Sequence, residues 1–542
     1  MRYIKQLYAA FSLVCLFIGA LYLVSCGGSA NLVTTPPAPT IASVTTWHND
    51  NARTGQNLNE TILTPANVNP SSFGLLFSIP TDTVFHAQPL YLPNLTIPGQ
   101  GTHNVLFVVT EGDTAFGFDA DSGQQLWKTS TLGGGESYDY DPGCPAIGDL
   151  GITSTPVIDI KAGPNGTIYL VTMSKDASGN HHQRLHALDV TSGVEEFGGP
   201  KEIQASYPGV GDNSSDGNVI FNPGQQLERA GLLLLNGVVY TSWGSHCDIR
   251  PYTGWLIGYD ENTLTQTMVF NFAPNGNGGS LWNSGAAPAA DANGNIYVLS
   301  ANGVFDTTLN AQGFPSESDF GNAFLKLTTA NQQLAVADYF EMMNGESETA
   351  ADMDLGSGGA MLLPDLTDSI GNTRHLAVGA GKDSNIYVVD RDSMGKFNPN
   401  ANNIYQELQG VLGGAVFSTP AYFNNTLYYG AVKDTIKAFP ISNAQLSTPT
   451  SQSPTIFTYP GATPSISANG TSNAILWAAE NFSPAILRAY DATNLSHELY
   501  NSNMASGGRD HFGTGMGFMS VTVVNGKVYV PTLTGIAVFG LR

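Results

Sequence analysis

The chain has 542 residues, of which 61 are glycine, 30 are proline and only 12% are charged. This composition excludes a helical bundle, because glycine and proline favour turns, while the 22 tyrosine and 26 phenylalanine residues favour strands. The formal net charge of −23 argues against nucleic acid as a partner, since phosphate backbones bind clusters of lysine and arginine.

The first 26 residues are typical of an export signal. Arg2 and Lys5 supply a positively charged start, and an apolar run follows over residues 7–23. An uncleaved membrane anchor is the alternative, although the run is short for a membrane span and has the flanks of a signal peptide. We predict a signal peptide over residues 1–26.

Residues 23–27, LVSCG, resemble the lipobox of bacterial lipoproteins. The resemblance implies that Cys26 carries the lipid and becomes the new N-terminus. Gly27 after the cysteine resembles lipoproteins that are sorted to the outer membrane. Residues 27–42 have no periodicity and contain a proline pair, which favours a flexible tether. We therefore expect a lipid-anchored protein of the bacterial cell envelope, on the periplasmic or surface side of the outer membrane.

Residues 43–72 are polar and rich in asparagine, and they are interpreted as an ordered N-terminal preamble. The apolar strand predicted at 73–79 has no hairpin partner before it. From residue 73 onward one pattern recurs: an apolar strand, a Gly or Asn turn, a Tyr- or Val-rich strand, and a third strand that often ends in Asp. The first strands of its eight copies are predicted at 88–92, 155–160, 231–235, 287–290, 359–363, 419–423, 463–467 and 520–524.

The copies FGFDADSGQQLW at 116–127 and LHALDVTSGVEEF at 185–197 resemble the pyrroloquinoline-quinone-type repeat. The resemblance covers residues 73–542 and implies an all-β, eight-bladed β-propeller of four-stranded antiparallel blades. Because the last copy ends after three strands, the strand at 73–79 is expected to complete it, so that an N-terminal strand closes the ring and no free edge remains. Two stacked domains of four blades are the alternative.

In such a blade, the loop entering the first strand and the loop joining the second and third strands emerge on one face. The long insertions are predicted on this face, at 133–151, 201–229, 243–253, 302–320, 341–355 and 501–516. Loops on a rigid scaffold are common places for binding residues. An axial funnel is therefore predicted from His86, Thr153, Arg229, Asn283, Asp354, Lys382, Asp383, Arg509, Asp510 and His511. It would bind an anion, a metal or a quinone; a hydrated plug of the channel is the alternative.

Cysteine usage leaves one pair for a disulfide. Cys15 lies in the signal and Cys26 is the lipid site, so Cys144 and Cys247 remain, and export favours their oxidation. Two free thiols are the alternative. The absence of a C-x-x-C-H motif excludes a covalently attached c-type haem.

Two function classes remain. Resemblance to quinoprotein alcohol dehydrogenases implies pyrroloquinoline quinone bound with Ca²⁺, under a disulfide of adjacent cysteines and over a tryptophan; residues 381–397 resemble their quinone-binding segment, with Lys382 near the quinone. This chain has no adjacent cysteine pair, and Asp383-Ser384 replaces the Asn-Gly of that segment. A lipid-anchored propeller that assists outer-membrane protein assembly has the same fold and no cofactor. We therefore favour a binding or scaffold module, most simply a monomer, for envelope proteins or a small ligand, with no catalytic or metal-binding residue assigned.

Replacing Cys26 by serine should release the protein from membranes, because stable attachment requires the lipid chains. Wild-type protein should sediment with the membrane fraction after a high-salt wash, and the C26S protein should stay in the supernatant. Membrane sedimentation of C26S after that wash would contradict the predicted anchor.

Overall fold

The computed structural model describes residues 42–140 and 148–542. The predicted signal peptide, the predicted lipidation site Cys26 and Cys144 lie outside these described residues. All described residues belong to one compact unit, Thr40–Arg542. No helix within the described ranges has the length and apolar character needed to span a membrane.

The regular elements of the described residues are almost entirely β-strands, which confirms the all-β part of the predicted fold class. Eight of the sheets contain four or more strands. We number these sheets 1 to 8 by the position of their first strand in the repeat.

The first four sheets come from residues 90–341. Sheet 1 contains Leu90–Ile97, Gly101–Thr110, Thr114–Asp119 and Gln125–Ser130. Sheet 2 contains Val157–Asp159, Thr167–Lys175, His181–Asp189 and Lys201–Glu202, with Ser137–Tyr140 and Asp149–Leu150 added. Sheet 3 contains Leu233–Leu235, Val238–Ser245, Trp255–Asp260 and Gln266–Asn271, with Gln226–Leu227 added. Sheet 4 contains Ala289–Ala290, Asn295–Leu299, Phe324–Thr328 and Ala335–Glu341, with Lys396–Phe397 added.

The other four sheets follow in the same way. Sheet 5 contains Met361–Leu362, Leu376–Gly379, Ile386–Asp390 and Gln406–Leu408. Sheet 6 contains Ala421–Phe423, Thr426–Gly430, Asp434–Ser442 and Ser451–Phe457, with Gln445–Leu446 added. Sheet 7 contains Ser465–Asn469, Ser472–Glu480, Ile486–Asp491 and Glu498–Asn501, with Gln56–Asn57 added. Sheet 8 contains Thr522–Val524, Lys527–Thr532, Gly535–Leu541 and Phe73–Pro80.

Smaller elements lie in the connections. A three-stranded sheet is formed by Ser206–Pro208, Ser214–Ser215 and Asn218–Ile220, and a hairpin by Leu366–Thr367 and Thr373–Arg374. The helical pieces are the α-helix Gly345–Ala350 and the 3₁₀ turns His246–Asp248, Asn283–Gly285, Ala330–Gln332, Leu355–Ser357 and Ser506–Gly508.

The middle strands of each sheet are covered on both faces, which is why their sequences are nearly continuous apolar runs rather than alternating ones. All six residues of Thr114–Asp119 are buried. Each large hydrophobic cluster joins successive sheets; one joins sheet 7 to sheet 8, and another joins sheets 1 and 2 to Tyr529 and Val538 of sheet 8. Each of these sheets therefore packs face to face on its neighbours.

The strand Phe73–Pro80 pairs antiparallel with Gly535–Leu541, the last strand of the chain. Its partners run from Phe73 opposite Leu541 to Pro80 opposite Gly535, with an irregularity between Leu75 and Phe77. The sequence predicted this pairing from the missing fourth strand of the last repeat. The first long strand of the described chain is thus the outer strand of sheet 8.

Residues 44–57, here called the central segment, bond to the first strand of every one of the eight sheets. Most of these bonds join backbone groups, at N···O distances of 2.7–2.9 Å, and two come from the side-chain amides of Asn51 and Asn57. The bonded residues of sheets 1 to 8 are, in order, Tyr91, Ile158, Leu234, Ala290, Leu362, Tyr422, Ile466 and Val523. The preamble predicted from sequence is therefore the common partner of all the first strands.

Replacing Phe73 by alanine should lower the free energy of unfolding by about 3–5 kcal/mol, the usual loss for a buried phenylalanine. Phe73 is 0% exposed, and its ring lies 5.0–6.2 Å from the rings of Tyr500, Trp477 and Phe539, which belong to sheets 7 and 8. Urea unfolding measures the change.

Leu76→Ala is the matched control, because Leu76 lies on the same strand and is 38% exposed. It should cost less than about 1 kcal/mol. Equal losses in the two variants would mean that this strand does not anchor sheet 8.

Candidate functional site

A cavity of about 450 Å³ lies where seven of the eight sheets converge. We call it the central cavity. Its lining residues are His86, Leu227, Arg229, Ser245, Cys247, Asp248, Trp282, Ser284, Asp352, Lys382, Phe417, Tyr459 and Phe518.

Two kinds of loop supply these side chains, as predicted from the repeat. His86, Arg229 and Phe417 precede the first strands of sheets 1, 3 and 6. Lys382 and Asp248 lie in loops that join the second and third strands of sheets 5 and 3. Both loop kinds therefore meet at one end of the sheets.

The central segment lies beneath this cavity. The backbone N–H of His48 donates to Oε1 of Gln88 at 3.0 Å, and Trp47 packs on Ala286 and Ala287. Each of these partners follows a cavity-lining residue, His86 or Ser284, by two or three positions. The segment therefore contacts the chain directly after two of the cavity-lining residues.

Arg229 is a buried cation of the cavity whose hydrogen bonding is incomplete. It is only 5% exposed, yet its Nη2 has no hydrogen-bond partner within the described residues. The guanidinium lies 5.5 Å from the ring centre of Phe518. It also lies against Gly285, where φ is +95° and an added Cβ would come within 2.3 Å of Nη1. Burial lowers the pKa of Arg229 to about 10, so it stays charged at neutral pH.

Polar atoms without partners surround this guanidinium. Both ring nitrogens of His86 and Oε1 of Glu111 lack a hydrogen-bond partner among the described residues. Nε2 of His86 lies 3.8 Å from Oε1 of Glu111. The other oxygen of Glu111 accepts from Gly151 N–H at 2.8 Å and from the Thr153 hydroxyl at 2.9 Å. Buried polar atoms without partners are rare, and they mark a place where a ligand or water is accommodated.

Burial decides the charges on these groups. It lowers the pKa of His86 to about 3, with repulsion from Arg229 as a second cause, so His86 is neutral. It raises the pKa of Glu111 to about 7, against the hydrogen bonds of Gly151 and Thr153 and the charge of Arg229. At neutral pH Glu111 is partly protonated, and the charge of Arg229 is incompletely compensated.

A second cation, Lys382, is held by carboxylates. Its Nζ lies 2.5 Å from Oδ2 of Asp354 and 2.8 Å from Oδ1 of Asp352, and 5.9 Å from the ring centre of Trp282. Burial raises the pKa of Asp354 to about 6 in spite of this ion pair. Unlike Arg229, Lys382 has its charge balanced within the protein.

Aromatic rings form a continuous wall around the cavity. The ring of Phe417 lies 6.0 Å from Trp282, 5.3 Å from Tyr459 and 6.2 Å from Phe518, and the rings of Tyr459 and Phe518 are 6.0 Å apart. Tyr459 is 55% exposed, which places it at the mouth. Flat aromatic faces beside a guanidinium suit a planar ligand that carries negative charge.

The structure brings six of the ten predicted funnel residues together around this cavity. Thr153 and Asp354 bond to Glu111 and Lys382, and the Asn283 amide donates to backbone oxygens of Leu299, Gly356 and Gly358, which ties sheet 4 to sheet 5. The set is completed by the lining residues His86, Arg229 and Lys382.

The other four lie elsewhere. Asp383 accepts from Tyr387 and Asn385 inside the second hairpin of sheet 5. Asp510 accepts from the backbone N–H of Leu75 at 3.2 Å and from Tyr500, and Arg509 bonds to it. His511 is exposed beside this pair. The expected funnel position of Arg509, Asp510 and His511 is not observed, because this loop packs on the outer strand Phe73–Pro80.

Sequence reasoning missed Glu111, Trp282, Phe417, Tyr459 and Phe518. Trp282, Phe417, Tyr459 and Phe518 all precede first strands of the repeat, the position that had indicated His86 and Arg229. The sequence indicates only polar residues at that position as funnel residues, so these four aromatic residues are not predicted. Glu111 lies in the loop that joins the second and third strands of sheet 1, and Lys382 lies in the corresponding loop of sheet 5.

Cys247 is disulfide-bonded and lines the cavity. Its partner lies outside the described residues. The pairing with Cys144 stays a prediction.

Comparison with known proteins identifies the fold. No protein-family model matches the chain, and no curated protein matches it in sequence. A quinohemoprotein alcohol dehydrogenase from Pseudomonas putida is 13% identical with a TM-score of 0.60, over 92% of this chain and 80% of that one. A europium-containing methanol dehydrogenase is 12% identical with a TM-score of 0.57, over 92% and 98%. BamB from Moraxella catarrhalis is 12% identical with a TM-score of 0.48, over 87% of this chain and 98% of that one.

These identities show the fold alone. The chain is an all-β protein with β-propeller-like neighbours of the pyrroloquinoline-quinone type.

The buried acid Glu228, next to Arg229, gives a testable pH dependence. Burial raises the pKa of Glu228 from 4.5 to about 8; Ser154 donates to one carboxyl oxygen at 2.6 Å, and the other has no partner within the described residues. Because the folded chain keeps this proton to higher pH than the unfolded chain, the group stabilises the fold at low pH. That contribution is lost as the pH rises, by about 1.4 kcal/mol per pH unit.

Glu228→Gln should remove this loss. Between pH 5.5 and 7.5, its free energy of unfolding should fall less steeply than that of wild type, by about 1.4 kcal/mol per pH unit. Urea unfolding at several pH values measures it, with the exposed Glu317→Gln as control. Parallel pH profiles of wild type and E228Q would contradict a proton held by Glu228.

Proposed function

We propose that this chain is a lipid-anchored, eight-bladed β-propeller of the bacterial cell envelope that binds a small planar organic anion in its central cavity. The observation that carries the proposal is the buried guanidinium of Arg229, which faces an aromatic-walled cavity of about 450 Å³ with one nitrogen unpaired among the described residues. A carboxylate would supply the missing acceptor through a charge-assisted hydrogen bond.

Three observations support the ring. Sheets 1 to 8 pack in order, and sheet 8 packs on sheet 1. The strand Phe73–Pro80 covers the outer edge of sheet 8, which suits closure by an N-terminal strand. The central segment bonds to all eight first strands in chain order, as a plug at the axis of a ring would.

The envelope location rests on the signal peptide and on Cys26 of the lipobox-like sequence. A tethered module with a net charge of −23 is compatible with a role in binding or presenting a ligand beside the membrane, or in contacting envelope proteins as a monomer. The insertions around the cavity mouth supply the surface for such contacts.

The second candidate is a dehydrogenase that uses pyrroloquinoline quinone and Ca²⁺. The disulfide-bonded Cys247, Trp282 and Lys382 favour it, because all three line the cavity and resemble parts of a quinone site. The residues of the central cavity do not fit a Ca²⁺ site. Within the described ranges, no group of three His, Cys, Asp or Glu side chains could hold a metal ion. Of the two carboxylates that line the cavity, Asp352 is ion-paired to Lys382 and Asp248 accepts from the Tyr252 hydroxyl at 2.8 Å, whereas Ca²⁺ requires six to eight oxygen ligands. We therefore propose no reaction step that uses this cofactor.

Calorimetric titration of the detergent-solubilised full-length protein tests the proposal with two probes of the same shape. Naphthalene-2-carboxylate should bind at least about tenfold more tightly than the neutral naphthalene-2-carboxamide, because only the carboxylate forms a charge-assisted bond to Arg229. Arg229→Met should abolish this preference.

Arg374→Met is the matched control, because Arg374 forms ion pairs with Asp368 and Asp390 outside the cavity. It should bind both probes as wild type does. Equal affinity of wild type for the two probes, or a preference that persists in R229M, would contradict anion binding at Arg229. Uptake of pyrroloquinoline quinone only when calcium is added, with quinone-dependent alcohol oxidation, would instead support the dehydrogenase.

A further inference from the structure

A second cavity, of about 390 Å³, lies at the outer end of sheet 4 and does not share lining residues with the central cavity. We call it the side cavity. It is enclosed by the insertion at 302–320, by the segment 341–350 and by Phe397. Its lining residues are Asn277, Gly303, Val304, Phe305, Thr307, Glu341, Met342, Met343, Gly345, Glu346, Thr349, Ala350 and Phe397.

Glu341 is the polar group buried in this cavity. It is the last residue of strand Ala335–Glu341 and is only 2% exposed. Its Oε2 is buried and has no hydrogen-bond partner within the part of the chain that the structure describes. The carboxyl group packs directly on Gly345, where an added Cβ would lie 1.7 Å from Oε1. A carboxyl group buried without a partner is costly unless a ligand completes its hydrogen bonding.

Apart from Glu341, the lining combines apolar residues with the neutral polar residues Asn277, Thr307 and Thr349. No lysine, arginine or histidine lines the side cavity, and Glu346 adds a second carboxylate at its exposed rim. The rings of Phe305 and Phe397 lie 5.4 Å apart, and Met342 and Val304 complete an apolar wall. Aromatic faces beside an acid attract a cation that carries an apolar group.

We infer that the side cavity is a binding site for a small organic ammonium ion, whose N–H groups donate to the carboxylate of Glu341 while its apolar part packs on Phe305 and Phe397. The inference concerns a site separate from the central cavity and does not depend on the function proposed for it. Residues from two long insertions form the site, which no repeat motif would indicate.

Proton release accompanies this binding. Burial raises the pKa of Glu341 well above its ordinary value, which favours the protonated carboxyl group in the absence of a cation. An ammonium ion would bind to the carboxylate form and displace the proton to solvent, and the total charge is conserved. The neighbouring ionisable groups are Glu346 on the short helix, Tyr339 on the same strand and Lys396 on the paired strand, whose Nζ donates to the Gln312 oxygen.

Titration calorimetry with benzylammonium and its neutral analogue benzyl alcohol tests the inference. In buffers of different ionisation enthalpy, benzylammonium binding should release protons, and its affinity should rise with pH. Benzyl alcohol should release none and should bind at least about tenfold more weakly at pH 8.

Glu341→Gln keeps the shape of the side chain and removes the charge. It should abolish proton release and weaken benzylammonium at least about tenfold, with benzyl alcohol bound as before. Glu346→Gln, at the exposed rim, should retain proton release, and unaltered thermal melting of both variants would exclude loss of folding.

Absence of proton release in wild type would overturn the inference. So would equal binding of the two probes, or E341Q binding benzylammonium as wild type does. Failure of naphthalene-2-carboxylate to bind would leave this site unaffected, since that probe reports on Arg229.

Discussion

The hydrogen bonds between the central segment and the eight first strands are the interaction on which the rest of the structure depends. Arg53 holds the shape of that segment. Its buried guanidinium donates to Pro288 O at 2.7 and 2.9 Å, to the Thr46 hydroxyl at 2.8 Å, and to Trp47 O and Asp50 O at 3.0 and 3.1 Å. Burial lowers the pKa of Arg53 to about 9, so the group remains charged at neutral pH. Because the charged guanidinium donates all of these bonds at once, it holds the backbone of the central segment in one conformation.

This arrangement explains why a cavity exists above the segment. The first strands are two to eight residues long, and the segment supplies hydrogen-bond partners to backbone groups of each of them. The chain that precedes each first strand is then free to carry large side chains toward the common centre. Arg229, Phe417 and Phe518 occupy this position in three different sheets.

The two cavities differ in charge for a local reason. In the central cavity the buried acid Glu111 is partly protonated, so it neutralises the charge of Arg229 only in part. In the side cavity Glu341 has no cation among the lining residues. The two proposed ligands therefore have opposite charges in a protein whose formal net charge is −23. Low dielectric at each site makes the nearest charge, rather than the net charge, decide what binds.

Repetition and alternation of residue types determined much of the fold by themselves. The strands predicted at 520–524 and 73–79 are observed as Thr522–Val524 and Phe73–Pro80, because apolar runs between Gly and Asn turns are local signals. The same repeat register located His86, Arg229 and Lys382 at the central cavity. Tertiary structure alone decided the role of the preamble, where Asn57 bonds to Val523 across 466 positions of sequence. It also decided that Asp510 bonds to Leu75 on the outer strand, and that Oε2 of Glu341 is buried without a hydrogen-bond partner among the described residues. Such contacts join distant, non-repeating segments, so they depend on how the sheets assemble and leave no periodic trace in the sequence.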